Sequence, residues 1–229
     1  MIQLDELINI LKMSTLELYN ELKKNKYAIA GKHYVLWFKG EGLPCLVSHI
    51  DHVYHEDDEW LNRDIFVNEE RIWSPFGVAG DDRCGVYACI KLFDILNVNV
   101  LFCDGEERGG IGASEACNEE RLKKTPYFIE IDRKNYKEAV FYNNDEEVPE
   151  WVDIIRKYFN ITSGTFSDIS ILGRHFGVCS VNLSAGFYEP HKKSAEYIHL
   201  PSLEYTIEKI PVLISEFGNR KYELKTLHR

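Results

Sequence analysis

"DRCGVYACIKLFDILNVNVLFCDGEERGGIGAS", Asp82 to Ser114, changes its pattern of apolar residues twice. Residues 82–96 have helical periodicity, with Val86, Cys89, Ile90 and Phe93 on one face. "NVNVLFCD" (97–104) is a strand-length apolar segment, and "GASEACNEERLKK" (112–124) returns to a helix. Between strand and second helix stand two adjacent glutamates, Glu106 and Glu107, followed by Gly109 and Gly110. A strand flanked by helices, with polar residues at its carboxyl end, is the repeating unit of an α/β protein.

The same alternation continues in both directions. Upstream, Leu4, Ile8 and Leu11 recur at helical spacing, and "STLE" (14–17) is a capping box that starts a second helix. "HYVLWF" (33–38) reads as a strand and "LPCLVSHID" (43–51) as a buried strand ending in polar residues. Downstream, "YFIEID" (127–132), "AVFYN" (139–143) and "FGVCSVNLS" (176–184) read as strands, and "PEWVDIIRKYF" (149–159) as a helix. A closing helix spans 201–217, where Pro211 is expected to kink or shorten it. "EEVPEW" (146–151) reads as a solvated loop, and Tyr54–Ser74 as a long loop. The expected fold is a three-layer α/β/α sandwich around a mixed, mostly parallel sheet. One catalytic domain over 1–229 is the simplest organisation, with residues 1–30 as an N-terminal helical segment.

Composition narrows the function. The 229 residues are 45% apolar, with 13 Tyr and 12 Phe, enough for a sizeable core. A net charge of −10 argues against a nucleic-acid partner, which requires a basic face. No apolar run reaches the roughly 20 residues of a membrane span, and "MIQLDELINILKMSTLELYN" lacks the features of a signal peptide. The six cysteines form no C-x-x-C pair and read as free thiols in a reducing compartment, so the chain is expected in the cytoplasm.

The expected strand ends collect metal-ligand residue types. "LVSHIDHV" places His49 and Asp51 two apart, on one side of an extended chain. "LFCDGEE" supplies Glu106 and Glu107, "FIEID" Asp132, and "VNLSAGFYEPH" His191. "GVAGDDRCGV" sets Asp81 and Asp82 at a helix start, where amide donors favour negative charge. Each piece alone has a bland reading as a cap, a surface pair or a loop histidine. Their joint placement at the ends of one sheet, where α/β proteins bind ligands, points to a metal site. Two zinc ions about 3.5–4 Å apart need a shared ligand, and Asp81 is the candidate.

The ordered series H-x-D, G-D-D-R-x-G, E-E-x-G-G, I-D-R and a late histidine resembles the co-catalytic di-zinc exopeptidases. These include zinc aminopeptidases and the related aminoacylase and carboxypeptidase families. The resemblance covers Leu46 to Leu200, including "TFSDISIL" (165–172). It implies one metal on His49, Asp81 and Asp132, and a second on Asp81, Glu107 and His191. It further implies that Asp51 orients the His49 ring, that Glu106 is the general base, and that the Asp81–Asp82 peptide is cis. The metals implied are two divalent ions, zinc first, with cobalt or manganese as alternatives.

Some residues remain open in the sequence. Asp168 either lines the substrate pocket or binds a free amino terminus, or it caps the following helix. Tyr188 is either an oxyanion donor or a packed aromatic, and His52 and His55 read as rim histidines. Many relatives insert a lid or dimerisation domain after the third ligand strand, but Asp132 and His191 are only 59 residues apart. That leaves no room for a lid, and a homo-oligomer or a loop would have to close the pocket. Glu196 in "HKKSAEYI" follows the late histidine by five residues, where the resemblance implies four. The activity implied is hydrolysis of amide bonds, first as an aminopeptidase on small peptides. Alternatives are a deacylase of N-acyl amino acids, a glutaminyl cyclase-like acyltransferase, and a non-catalytic binding protein.

Overall fold

The computed structural model describes residues 2–143 and 146–225. The first helices are α1 (Leu4–Lys12) and α2 (Thr15–Leu22), followed by strands β1 (Ala28–Ala30), β2 (Tyr34–Trp37) and β3 (Cys45–His49). Next come α3 (Asp58–Leu61), β4 (Phe66–Val67), β5 (Arg71–Trp73), α4 (Gly80–Ile95) and β6 (Asn99–Cys103). The middle of the chain forms α5 (Ile111–Ala116), β7 (Phe128–Arg133), β8 (Glu138–Val140), α6 (Pro149–Arg156) and β9 (Asn160–Thr162). The last elements are α7 (Asp168–Phe176), β10 (Ser180–Ser184), β11 (Phe187–Tyr188), β12 (Tyr197–His199) and α8 (Leu200–Phe217).

Eight strands form the central sheet in the order β1-β2-β6-β3-β7-β10-β8-β9. Its middle, β6-β3-β7-β10, is parallel throughout, and antiparallel β2 and β8 flank it. The middle strands are buried on both faces because helices cover both. One face packs on α1, α2, α4, α6 and α8 through residues such as Leu11, Phe93, Trp151 and Leu213. The other packs on α5 and α7 through Val47, Leu101, Ala113 and Leu172. This is the expected three-layer α/β/α sandwich. Trp151 stacks on Phe217 with ring centroids 3.9 Å apart, tying α6 to α8.

Several local expectations need correction. Residues 112–124 are not one helix: α5 ends at Ala116, and a single 3-10 turn follows at Glu120–Leu122. "EEVPEW" is not solvated, since Glu147 and Trp151 are buried and Pro149 opens α6. Pro211 does not shorten α8, which runs from Leu200 to Phe217. The Tyr54–Ser74 loop holds α3, β4 and β5. In α1 the buried residues are Leu7, Ile10 and Leu11, a rotated version of the expected face. The capping box is present: Ser14 Oγ accepts from Glu17 N, and the Glu17 carboxylate accepts from Ser14 N.

A second, antiparallel sheet, β11-β12-β5-β4, escaped the sequence reading because its strands have only two or three residues. It is anchored through buried Phe187, Ile198 and Ile72 in the larger core cluster. The connection between β11 and β12 carries His191 and Glu196, and β5 leads into the segment that begins α4. This sheet therefore brings the late histidine beside the Asp81–Asp82 segment.

Candidate metal centre

The register of the parallel strands aligns the site. His49 at the end of β3 pairs with Cys103 at the end of β6, and Val47 pairs with Glu130 two residues before Asp132. His49, the Glu106–Glu107 turn and Asp132 thus emerge at one edge. The segment before α4 delivers Asp81 to the same edge, and the Asp81–Asp82 peptide is cis. Gly85 lets α4 approach β7, because a Cβ there would lie 1.9 Å from the carbonyl oxygen of Ile131.

Asp81 is the geometric centre. Its Oδ1 lies 3.2 Å from His49 Nε2, and its Oδ2 lies 3.3 Å from His191 Nε2. Asp132 Oδ1 is 3.3 Å from His49 Nε2, and Glu107 Oε1 is 2.9 Å from His191 Nε2. The structure brings together all five side chains singled out as ligands. Tetrahedral ligands about 2.0–2.1 Å from one zinc are separated from each other by about 3.3 Å, so these spacings match shared cations. The donors are imidazole nitrogen and carboxylate oxygen, a set suited to zinc and neighbouring divalent ions. Among the described residues, no lysine or arginine pairs with Asp81, Asp132, Glu106 or Glu107. A buried carboxylate cluster without such partners calls for metal cations. The residues therefore fit divalent metal, and His49, Asp81 and Glu107 already form one compact donor group.

The surroundings hold the donors in place. Asp51 lies beneath the glutamate doublet as well as beside His49. Its carboxylate accepts from the amides of Gly105, Glu106 and Glu107 at 2.7, 3.1 and 3.3 Å, fixing the backbone of the doublet. The nearer partner of His49 Nδ1 is the Asp51 carbonyl oxygen at 3.0 Å, with the carboxylate at 3.5 Å. Asn182 on β10 donates to Asp132 Oδ2 and accepts from the Asp132 amide. Asp82 is a helix cap: its Oδ1 accepts from Gly85 N at 3.0 Å, and its Oδ2 accepts from His49 N at 3.3 Å. Asp82, His49 and Asp132 also form a compact donor group, but these backbone bonds already occupy both Asp82 oxygens.

Glu196 is the main residue whose role the sequence did not show. It is almost fully buried, and its carboxylate accepts from the amides of Val78, Ala79 and Asp81 at 3.2, 3.0 and 3.2 Å. Tyr54 Oη donates to it at 2.6 Å. Glu196 therefore holds the strand-to-helix segment that presents Asp81, including Ala79 in the left-handed region at φ 58°. Its irregular spacing after His191 was the available signal.

The two glutamates of the doublet differ in their surroundings. Glu107 reaches His191, whereas Glu106 makes no ion pair among the described residues and lines a cavity of about 500 Å³. Burial pushes the Glu106 carboxyl up to about 8, helped by Asp132, Asp168 and Glu107 and opposed by His49. Burial likewise raises Asp132 to about 6. Hydrogen bonds to Asp81 and Glu107 raise His191 to about 10. Asp81 falls to about 2, because His191 and His49 outweigh its burial. These shifts follow from burial of several carboxylates beside two imidazoles.

The remaining candidates lie elsewhere. Asp168 is fully buried beside Cys103 and beneath Gly110; it neither lines the cavity nor caps α7, whose N-cap is Ser167. Tyr188 stacks on Tyr197 at 4.9 Å, its hydroxyl is 3.0 Å from Ser202 Oγ, and it does not line the cavity, so its geometry is that of a packed aromatic. His52 packs on Trp60 with its side chain 1% exposed and is no rim residue, whereas the His55 side chain is 91% exposed. Thr165, Phe166, Arg133 and Lys134 line the cavity instead.

No protein-family model matches the sequence, and no curated protein matches it. Solved structures do. An aminopeptidase PepT from Bacillus cereus superposes with a TM-score of 0.70 at 14% identity, over 93% of this chain and 97% of that one. A tripeptidase from Staphylococcus aureus gives 0.66 at 15% identity, over 93% and 97%. A dinuclear metal-binding peptidase from Bacillus subtilis gives 0.55 at 9% identity, over 91% and 96%. Sheet order, layer structure and these neighbours together show that the chain shares the fold of these peptidases.

Proposed function

We propose that the chain is a metal-dependent hydrolase of peptide bonds, and specifically an aminopeptidase acting on small peptides. The observation that carries this reading is the placement of each Asp81 oxygen opposite a different imidazole, with Glu106 facing the adjoining cavity. His49, Asp81 and Asp132 would hold one divalent ion, and Asp81, Glu107 and His191 the other, zinc being the first candidate. When bound, such ions polarise a scissile carbonyl and make water a nucleophile at neutral pH.

The chain's own residues supply the rest. Asp51 holds the amides of residues 105–107, so Glu106 and Glu107 point to different tasks. Glu106 takes a proton from the attacking water as the oxygen–carbon bond forms. It returns that proton to the leaving nitrogen as the carbon–nitrogen bond breaks. The free thiols accord with a reducing compartment, and we place the enzyme in the cytoplasm.

A screen of unblocked, N-acylated and C-blocked dipeptides with zinc, cobalt or manganese tests the assignment. Cleavage of peptides with a free amino terminus is the expected result. Cleavage confined to N-acylated substrates would make the protein a deacylase, and no cleavage with fewer than one ion per chain would overturn the hydrolase reading.

A further inference from the structure

The cavity beside the centre has a cationic wall in an otherwise acidic protein. Arg133 ends β7 immediately after Asp132, Lys134 follows it, and both line the cavity. Arg133 Nε donates to Glu138 Oε2 at 2.9 Å, and Asn135 Nδ2 donates to Glu138 Oε1 at 3.0 Å. This holds the guanidinium by its inner nitrogen, and its terminal nitrogens have no partner among the described residues. The Lys134 ammonium has no ion pair among them either, and Ser184 Oγ donates to the Lys134 carbonyl at 2.9 Å, which fixes the turn. The neighbouring carboxylate, Glu189, is bonded to Lys192.

Charge matching gives these residues a task. Two divalent ions would balance the four carboxylates Asp81, Glu106, Glu107 and Asp132, three backbone amides satisfy Asp51, and Glu138 balances Arg133. Lys134 is left over, facing a cavity whose volume of about 500 Å³ falls in the range of small-ligand sites. Guanidinium and ammonium donors in a part-buried pocket select carboxylates through charge-assisted hydrogen bonds. An acidic substrate would otherwise be repelled by a chain of net charge −10.

Building on the hydrolase reading, we infer that Arg133 and Lys134 hold a carboxylate of the substrate, so that the site takes short peptides with a free carboxylate close to the scissile amide. That carboxylate is either the C-terminus of a di- or tripeptide or an Asp or Glu side chain.

The test compares Ala-Ala, its C-terminal amide, and Glu-Ala amide on metal-loaded wild-type protein and on the Lys134→Met, Arg133→Met, Arg133→Lys and Lys192→Met variants. One charge-assisted contact is worth about tenfold or more. If the terminal carboxylate is held, Ala-Ala should exceed its amide in kcat/KM by at least about tenfold. If a side chain is held, Glu-Ala amide should exceed Ala-Ala amide by the same factor. Lys134→Met and Arg133→Met should shrink the preference, Arg133→Lys should restore part of it, and Lys192→Met, which frees Glu189 to compete for Lys134, should shrink it less than Lys134→Met does. Calorimetric binding of the same peptides to metal-loaded Glu106→Gln protein reads the preference without turnover, so a failure of the hydrolase reading remains distinguishable. Equal handling of all three peptides by the wild type, or a preference that survives both methionine substitutions, would overturn the inference.

Discussion

Glu106 and Glu107 are chain neighbours with different surroundings: Glu107 meets His191, and Glu106 faces the cavity. Glu106→Gln should lower kcat by about 10²–10⁴-fold with bound metal unchanged, as read by elemental analysis of the same sample. Loss of metal in proportion to activity would instead make Glu106 a ligand. Glu196 is tested by Glu196→Ala, which leaves the Val78, Ala79 and Asp81 amides without their acceptor. We expect it to cost at least about 2 kcal/mol in denaturant unfolding and to weaken metal binding with it; unaltered metal affinity would rule out a positioning role. The pH dependence of metal binding follows from His191. Its bonds to Asp81 and Glu107 raise its pKa from 6.5 to about 10, so at neutral pH a metal ion must displace a proton. Apparent affinity should rise roughly tenfold per pH unit between 7 and 9 for that one proton, measured by competition with a chelator. The sign is the same for stability: in the metal-free protein the His191 ion pairs contribute fully below pH 6.5, and this is lost as pH climbs through about 10.

At the scale of elements, the approach of α4 to β7 decides whether Asp81 and Asp132 can share a site. A methyl group at Gly85 would collide with a backbone carbonyl, which cannot rotate away as a side chain can. Gly85→Ala should therefore destabilise the protein by about 2–4 kcal/mol, seen as a lowered urea midpoint, and should weaken metal binding. A midpoint within 0.2 M of wild type, taken as about the resolution of the method, would show that helix and strand are free to separate. The short antiparallel sheet acts on the other side of Asp81, because the β11–β12 connection carries both His191 and Glu196. One element thus brings His191 against Asp81 and fixes the backbone of Asp81.

For the whole molecule, the centre is a concentration of negative charge in a chain that is already acidic. Metal binding should therefore couple to global stability. At a free metal concentration a hundred times Kd each occupied site gains about 2.7 kcal/mol, so two sites gain about 5 kcal/mol, which for a chain of this size corresponds to roughly 10–20 °C in Tm. Stripping with a chelator should lower Tm by that amount, and restoring two equivalents of zinc should recover it, as followed by calorimetry. A Tm indifferent to chelation would mean that the carboxylate cluster is balanced by something other than metal.

Local information was enough for much of this molecule. The 3.6-residue pattern of 82–96, the apolar strand 99–103 and the polar residues after each central strand are set by neighbours in the chain, so the sandwich and the candidate residue types at its edge were legible in sequence. The break after Ala116, the burial of Glu147 and Trp151, and the continuity of α8 through Pro211 were not. In each case tertiary packing overrode the local preference. The second sheet was invisible because strands of two or three residues carry no readable period and are held only by pairing with distant partners. Glu196 shows the same limit most clearly. Its amide partners lie 115–118 residues away, so its task exists only once the chain has folded. Sequence by itself determined which chemical groups stand at the sheet edge; tertiary structure decided which of them face one another, because contacts between remote segments depend on the packing of the whole core.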